Sequence, residues 1–89
     1  MVYSITYDLN KSGQNYNDLY KAIESLGECC HYLKSTWFIN TNCSVDEIKH
    51  LLLTHMDEND FLFVSQVSRY STKLPTKADE WLMKHVNHI

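Results

Sequence analysis

The order of hydrophobic patterns along the chain predicts an α+β domain in which strands and helices follow one another as βαββαβ, with an additional C-terminal helix. Three observations carry that expectation. Apolar and polar residues alternate over Val2–Leu9 in the two-residue period of a half-buried strand. Two stretches, opening near Asn15 and at Ser44, repeat apolar residues at three and four positions, the period of a helix with one buried face. A continuous apolar run, Phe61-Leu62-Phe63-Val64, follows a polar turn and reads as a late core strand. With 89 residues, 44% hydrophobic content, two Gly and one Pro, the chain is expected to form one packed domain over 1–89. Its core spans about 1–70 and its last helix about 76–88.

In the first strand Tyr3, Ile5, Tyr7 and Leu9 share one face, and Val2, Ser4, Thr6 and Asp8 the other. Asn10–Gln14 is a loop by composition; Asn15 then caps a helix whose buried stripe is Tyr16, Leu19, Tyr20, Ile23 and Leu26, with Gly27 as its stop. Cys29–Leu33 and Ser35–Thr41 are rich in aromatic and β-favouring residues and break at Lys34-Ser35, which predicts a hairpin. Ser44-Val45-Asp46-Glu47 matches a capping box, and the helix it opens runs to about Met56, burying Val45, Ile48, Leu51 and Leu52. Asp57–Asp60 is a turn, and Phe61–Ser68 is a strand whose first half is covered on both faces. Thr76 caps the final helix, which gathers Ala78, Trp81, Leu82, His85 and Val86 on one side.

Right-handed crossovers place the first two helices on the same side of a four-stranded antiparallel sheet, the arrangement of a ferredoxin-like sandwich. The opposite face is open unless the third helix or another subunit covers it. Large apolar side chains at Phe61–Val64 favour a partner subunit, with the C-terminal helix docked or exchanged across the interface. A short domain also buries a small fraction of its surface, so the expected state is a homodimer or a higher oligomer.

Eight Lys and Arg stand against eleven Asp and Glu, a net charge of −3 with His neutral, and the basic residues are dispersed. Tight, sequence-independent binding to a phosphate backbone needs clustered cations, so this composition argues against a nucleic-acid scaffold. There is no run of signal-peptide length and no stretch of about 18 apolar residues, which predicts a soluble cytoplasmic protein without a membrane partner. Cys29, Cys30 and Cys43 form no C-x-x-C pair and are expected as reduced thiols; Cys29 and Cys43 could be nucleophiles only beside a base and are otherwise small buried hydrophobes.

The first candidate for chemistry is Asp8, an acid closing the first strand on the face away from the helices, where Ser4 and Thr6 precede it as ligand contacts. Across a dimer axis such a carboxylate meets its own symmetry mate. The pair then needs a shared proton or a divalent cation, and Mg²⁺ or Mn²⁺ there would position water against a phosphodiester. The alternative is that Asp8 opens a turn with Asn10 and Gly13. Arg69-Tyr70-Ser71-Thr72-Lys73 combines two cations with hydroxyls and a ring; Arg69 and Lys73 form either the rim of a phosphate or nucleotide pocket or a solvated linker. The five His, His31, His50, His55, His85 and His88, fall into no ligand motif, His85 as a boundary residue and His88 in the tail.

Tyr7-Asp8-Leu9 closing a first strand, a helix, and then His31-Tyr32-Leu33-Lys34-Ser35-Thr36-Trp37-Phe38-Ile39 as a hairpin resemble the small CRISPR-associated adaptation proteins and their VapD-like and SinR-like relatives. The resemblance spans about residues 1–70 in element order. It implies a ferredoxin-like homodimer and, as in the members that are nucleases, metal-dependent cleavage of RNA or DNA. Asp8 matches the aspartate at the dimer axis, and Ser35 and Trp37 match the small and aromatic hairpin positions, with Trp37 a ligand contact. Asn10–Gly27 departs from the pattern, offering only Lys11 and Lys21 against Asp18 and Glu24. The competing expectation is a non-catalytic module that holds a nucleotide, a short RNA or a protein, for instance a phage inhibitor of a bacterial defence system.

Overall fold

The computed structural model describes residues 1–86, which form a small α+β unit of four antiparallel strands and three helices. In chain order these are β1 Val2–Asp8, α1 Asn17–Ser25, β2 Glu28–Leu33, β3 Thr36–Asn40, α2 Val45–Leu53, β4 Phe61–Gln66 and α3 Thr76–His85. The sheet runs β2-β3-β1-β4, so β1 is central and β4 is an edge. Tyr3 lies opposite Ile39 and Gln66, and Thr6 opposite Thr36 and Phe63, which aligns the even-numbered residues of β1 and β3 with the odd-numbered residues of β4 on one face.

The principal core lies between the sheet and α1 and α2. Tyr3, Ile5, Tyr7, Trp37 and Ile39 from the sheet meet Leu19, Ala22 and Ile23 of α1 and Ile48 and Leu52 of α2. The spacing of those helical residues, three and four apart, puts them on one stripe. The opposite face carries a second, smaller cluster. Val2 packs there with Leu82 and Val86, flanked by Phe38, Val67, Leu74 and Trp81. The chain's own α3 therefore covers the Val2 end of this face, while the Phe61 end, whose apolar run favoured a partner subunit, is left uncovered by it.

Several local expectations are corrected. Asn15 does not cap α1: Tyr16 occupies the cap position without a side-chain bond to the helix start, while the Asn15 carboxamide oxygen accepts the Asn17 amide at 2.9 Å, an Asx turn just before the helix. Gly27 ends the helix for another reason than a left-handed cap, because among the described residues positive φ occurs only at Gly13. A Cβ on Gly27 would instead collide with the carbonyl oxygen of Asn40, so this glycine lets the α1–β2 joint approach the end of β3. The capping box of α2 forms in both directions, Glu47 amide to Ser44 hydroxyl at 3.1 Å and Ser44 amide to Glu47 carboxylate at 3.0 Å. That helix stops at Leu53, and Val45 and Leu51 lie on its exposed side.

β4 stops at Gln66, and its first half is covered on one face only. Leu62 and Val64 pack toward the core, whereas Phe61 and Phe63 are 66% and 65% exposed. Pro75, not Thr76, occupies the cap position of α3, whose buried residues are Ala78 and Leu82. The helix ends at His85, where Val86 is extended, short of the expected end at about 88; His88 lies outside the described residues.

Candidate functional site

β1 ends at Asp8 because the chain turns there into a loop anchored on the α2–β4 turn. Asn10 donates its amide to the Asp60 carboxylate at 2.7 Å and its side-chain amide to the Asn59 carbonyl at 2.8 Å. Asp8 is left exposed on the face opposite α1 and α2, directly across from Phe61. Thr6, Tyr7, Asp8, Phe61, Leu62 and Phe63 line a shallow depression at this corner of the sheet. By register, the side chains beside Asp8 on its face are Thr6, Phe61 and Phe63: one hydroxyl and two exposed rings.

Ser4 and Thr6 share the row with Asp8, and each is bonded across the sheet. The Ser4 hydroxyl lies 2.9 Å from that of Ser65, and the Thr6 hydroxyl 3.0 Å from that of Thr36. Both can still present a lone pair or a proton outward, since a hydroxyl has one donor and two acceptor positions.

The other expected contacts lie elsewhere. Trp37 faces α1, opposite Ile5, and is buried. Its indole N–H donates to the Tyr7 hydroxyl at 3.0 Å, His31 stacks on its ring at 3.8 Å between centroids, and Tyr20 lies 6.2 Å away, nearly parallel. A residue so enclosed is a core aromatic, and it does not share a surface with Asp8. Burial raises the Tyr7 hydroxyl above the ordinary phenol range, so it stays neutral. Arg69 and Lys73 follow β4 beyond the Val2 end of β1, the end of the sheet opposite Asp8. Both are exposed.

The metal expectation rests on Asp8 alone within one chain. Among the described residues no three His, Cys, Asp or Glu side chains converge as a metal-holding group. Mg²⁺ demands near-octahedral oxygen ligation, and Asp8 with Thr6 supplies only part of it. The Cys29 and Cys30 thiols are pushed up by burial, Cys29 further by Glu24, which keeps them protonated and poor nucleophiles.

Sequence reasoning missed Asp60. Its carboxylate accepts from the Asn10 amide, from the Asp57 amide at 2.8 Å and from the Tyr16 hydroxyl at 2.9 Å, tying three segments together beneath the Phe61 corner. Burial alone would raise its pKa. The bonds from Asn10, Asp57 and Tyr16, with the Lys11 charge, outweigh that and hold it below the usual carboxylate value. Its clue in the sequence was the acid-rich turn Asp57-Glu58-Asn59-Asp60 just before a strand.

Comparison with protein-family models, with curated proteins and with solved structures found no match. Among the described residues no helix is long and apolar enough to cross a membrane.

Proposed function

We propose that this chain is a ferredoxin-like binding module that takes a protein partner on the open half of its sheet. The fold reading is supported by the strand order β2-β3-β1-β4, with α1 and α2 packed on one face. The functional reading rests on one observation. α3 covers the Val2 end of the second face, while Phe61 and Phe63 stand about two-thirds exposed beside Thr6 and Asp8 at the other end. Adjacent exposed aromatics of this size mark a surface that gains by burial, and fully burying one Phe is worth roughly 1.5–3 kcal/mol. Asp8 beside the two rings and a net charge of −3 favour a partner with cationic and apolar groups over a phosphate backbone.

The test is affinity capture from the source cell with the parent chain and with the Phe61→Ser/Phe63→Ser double variant. A protein held by the parent and lost by the folded variant supports the module; equal capture by both would overturn it.

A second reading keeps the metal-dependent nuclease or phosphodiesterase, with Asp8 holding Mg²⁺ or Mn²⁺ against a second copy. It is favoured by the exposure of Asp8 beside the Thr6 hydroxyl on the open face. Incubation with RNA and DNA oligonucleotides and Mn²⁺ should then give cleavage that Asp8→Asn abolishes, and cleavage that survives the substitution, or none at all, would dismiss it.

A further inference from the structure

The two edges of the sheet differ. At one edge β2 is interrupted by an irregular register between Cys30 and Leu33, and α3 packs against it. At the other, β4 keeps an unbroken register with β1 and carries neither a charge nor a proline. It therefore lacks the bulge, lysine or proline that commonly blunts an edge strand. The Val67 amide donates to the Val2 carbonyl at 2.8 Å, which sets the alternation: the backbone groups of Phe61, Phe63 and Ser65 turn toward β1, and those of Leu62 and Val64 turn outward.

We propose that β4 pairs antiparallel with β4 of a second copy, about a two-fold axis through Phe63. Residues opposite one another in a continuous sheet must share a face. With Phe63 on the axis, Phe61 stands against Ser65 of the second copy and Leu62 against its Val64. Leu62 and Val64 then exchange the backbone bonds they present outward, and the Phe63 rings meet as a non-hydrogen-bonded pair, the closer-spaced kind.

Charge selects the same arrangement. The acidic turn Asp57, Glu58, Asp60 precedes β4, and Arg69 and Lys73 follow it. Antiparallel pairing lays the acidic end of each strand toward the basic end of the other. The product is an eight-stranded sheet with Phe61 and Phe63 of both copies in one aromatic strip. This goes beyond the partner-binding reading by doubling the surface on which that reading relies. It also separates the Asp8 carboxylates by roughly 20 Å, three strand spacings across and four residues along, so it is not the arrangement in which they share a metal.

Sedimentation equilibrium of the full chain over a wide concentration range tests the pairing. The expected particle has about twice the 10.5 kDa chain mass. Phe63→Lys sets two like charges on the axis, and Val64→Pro removes an outward N–H while leaving the β1 ladder in place. Each should weaken self-association at least about tenfold, a loss of about 1.4 kcal/mol, with unchanged far-UV circular dichroism, and Asp8→Ala should not weaken it. A monomer at every concentration, or a dimer that Asp8→Ala disrupts and folded Phe63→Lys and Val64→Pro leave intact, would overturn the proposal. Val64→Pro retains both exposed rings, so partner capture by this variant tests the binding reading independently of the dimer.

Discussion

Replacing Asp60 with alanine removes the acceptor of three hydrogen bonds at once: the Asn10 amide at 2.7 Å, the Asp57 amide at 2.8 Å and the Tyr16 hydroxyl at 2.9 Å. A bond to a charged acceptor is worth about 1.5–3 kcal/mol and an ordinary one about 1 kcal/mol. Asn10 is exposed and regains water when its partner goes, so its share falls toward the lower figure. The expected loss is about 2–3 kcal/mol, a large part of the roughly 5–15 kcal/mol that holds a domain together. At a urea dependence of about 1 kcal/mol per molar for so short a chain, the unfolding midpoint should fall by about 2–3 M. The same carboxylate gives a pH signature. Its folded pKa lies below the ordinary 3.8, so its contribution is complete above that value and disappears as pH falls through the folded pKa. The difference in stability between parent and Asp60→Ala should therefore shrink on acidification below about pH 4 and stay constant above about pH 5. A midpoint within about 0.3 M of the parent at neutral pH, or a gap between the two proteins that does not close in acid, would refute the assignment of Asp60 as the tie among these segments.

Gly27→Ala should destabilise by about 1–3 kcal/mol in the same assay, because the added Cβ meets backbone rather than a movable side chain at Asn40. Leu82→Ala, which hollows the cluster under α3, should cost about 2–5 kcal/mol and raise amide exchange in α3 before it does so in β1; unchanged exchange would show that α3 does not depend on that contact. Ser44→Ala removes one half of the capping box and should cost about 1 kcal/mol by thermal unfolding.

The elements of this domain were legible because each is written in local chemistry. The alternation in β1, the capping box at Ser44 and the 3.6-residue stripe of α1 involve neighbours only, and all three form as read. Reading failed where the outcome depends on distant partners. Asn15 and Tyr16 compete for one helix start, and the winning geometry is tied to Asp60, 44 residues from Tyr16. Trp37 is expected as a ligand contact from the resemblance, yet its parity relative to Ile5 turns it inward onto Tyr7 and His31. Asp8 was placed correctly on the face away from α1 and α2, since two-residue periodicity fixes the side of every strand residue once the buried side is known.

The sequence by itself determined the order of the elements and which side of each strand is apolar, because backbone sterics and hydrophobic periodicity act over a few residues. Only the tertiary structure decided what covers each side. The run Phe61–Val64 reads as a strand buried on both faces, but sheet order makes β4 an edge, and α3 folds back over the Val2 end instead of the Phe61 end. That choice belongs to the packing of Leu82 and Val86 against Val2, a contact among residues about eighty positions apart, and it leaves Asp8 and the two phenylalanines exposed together.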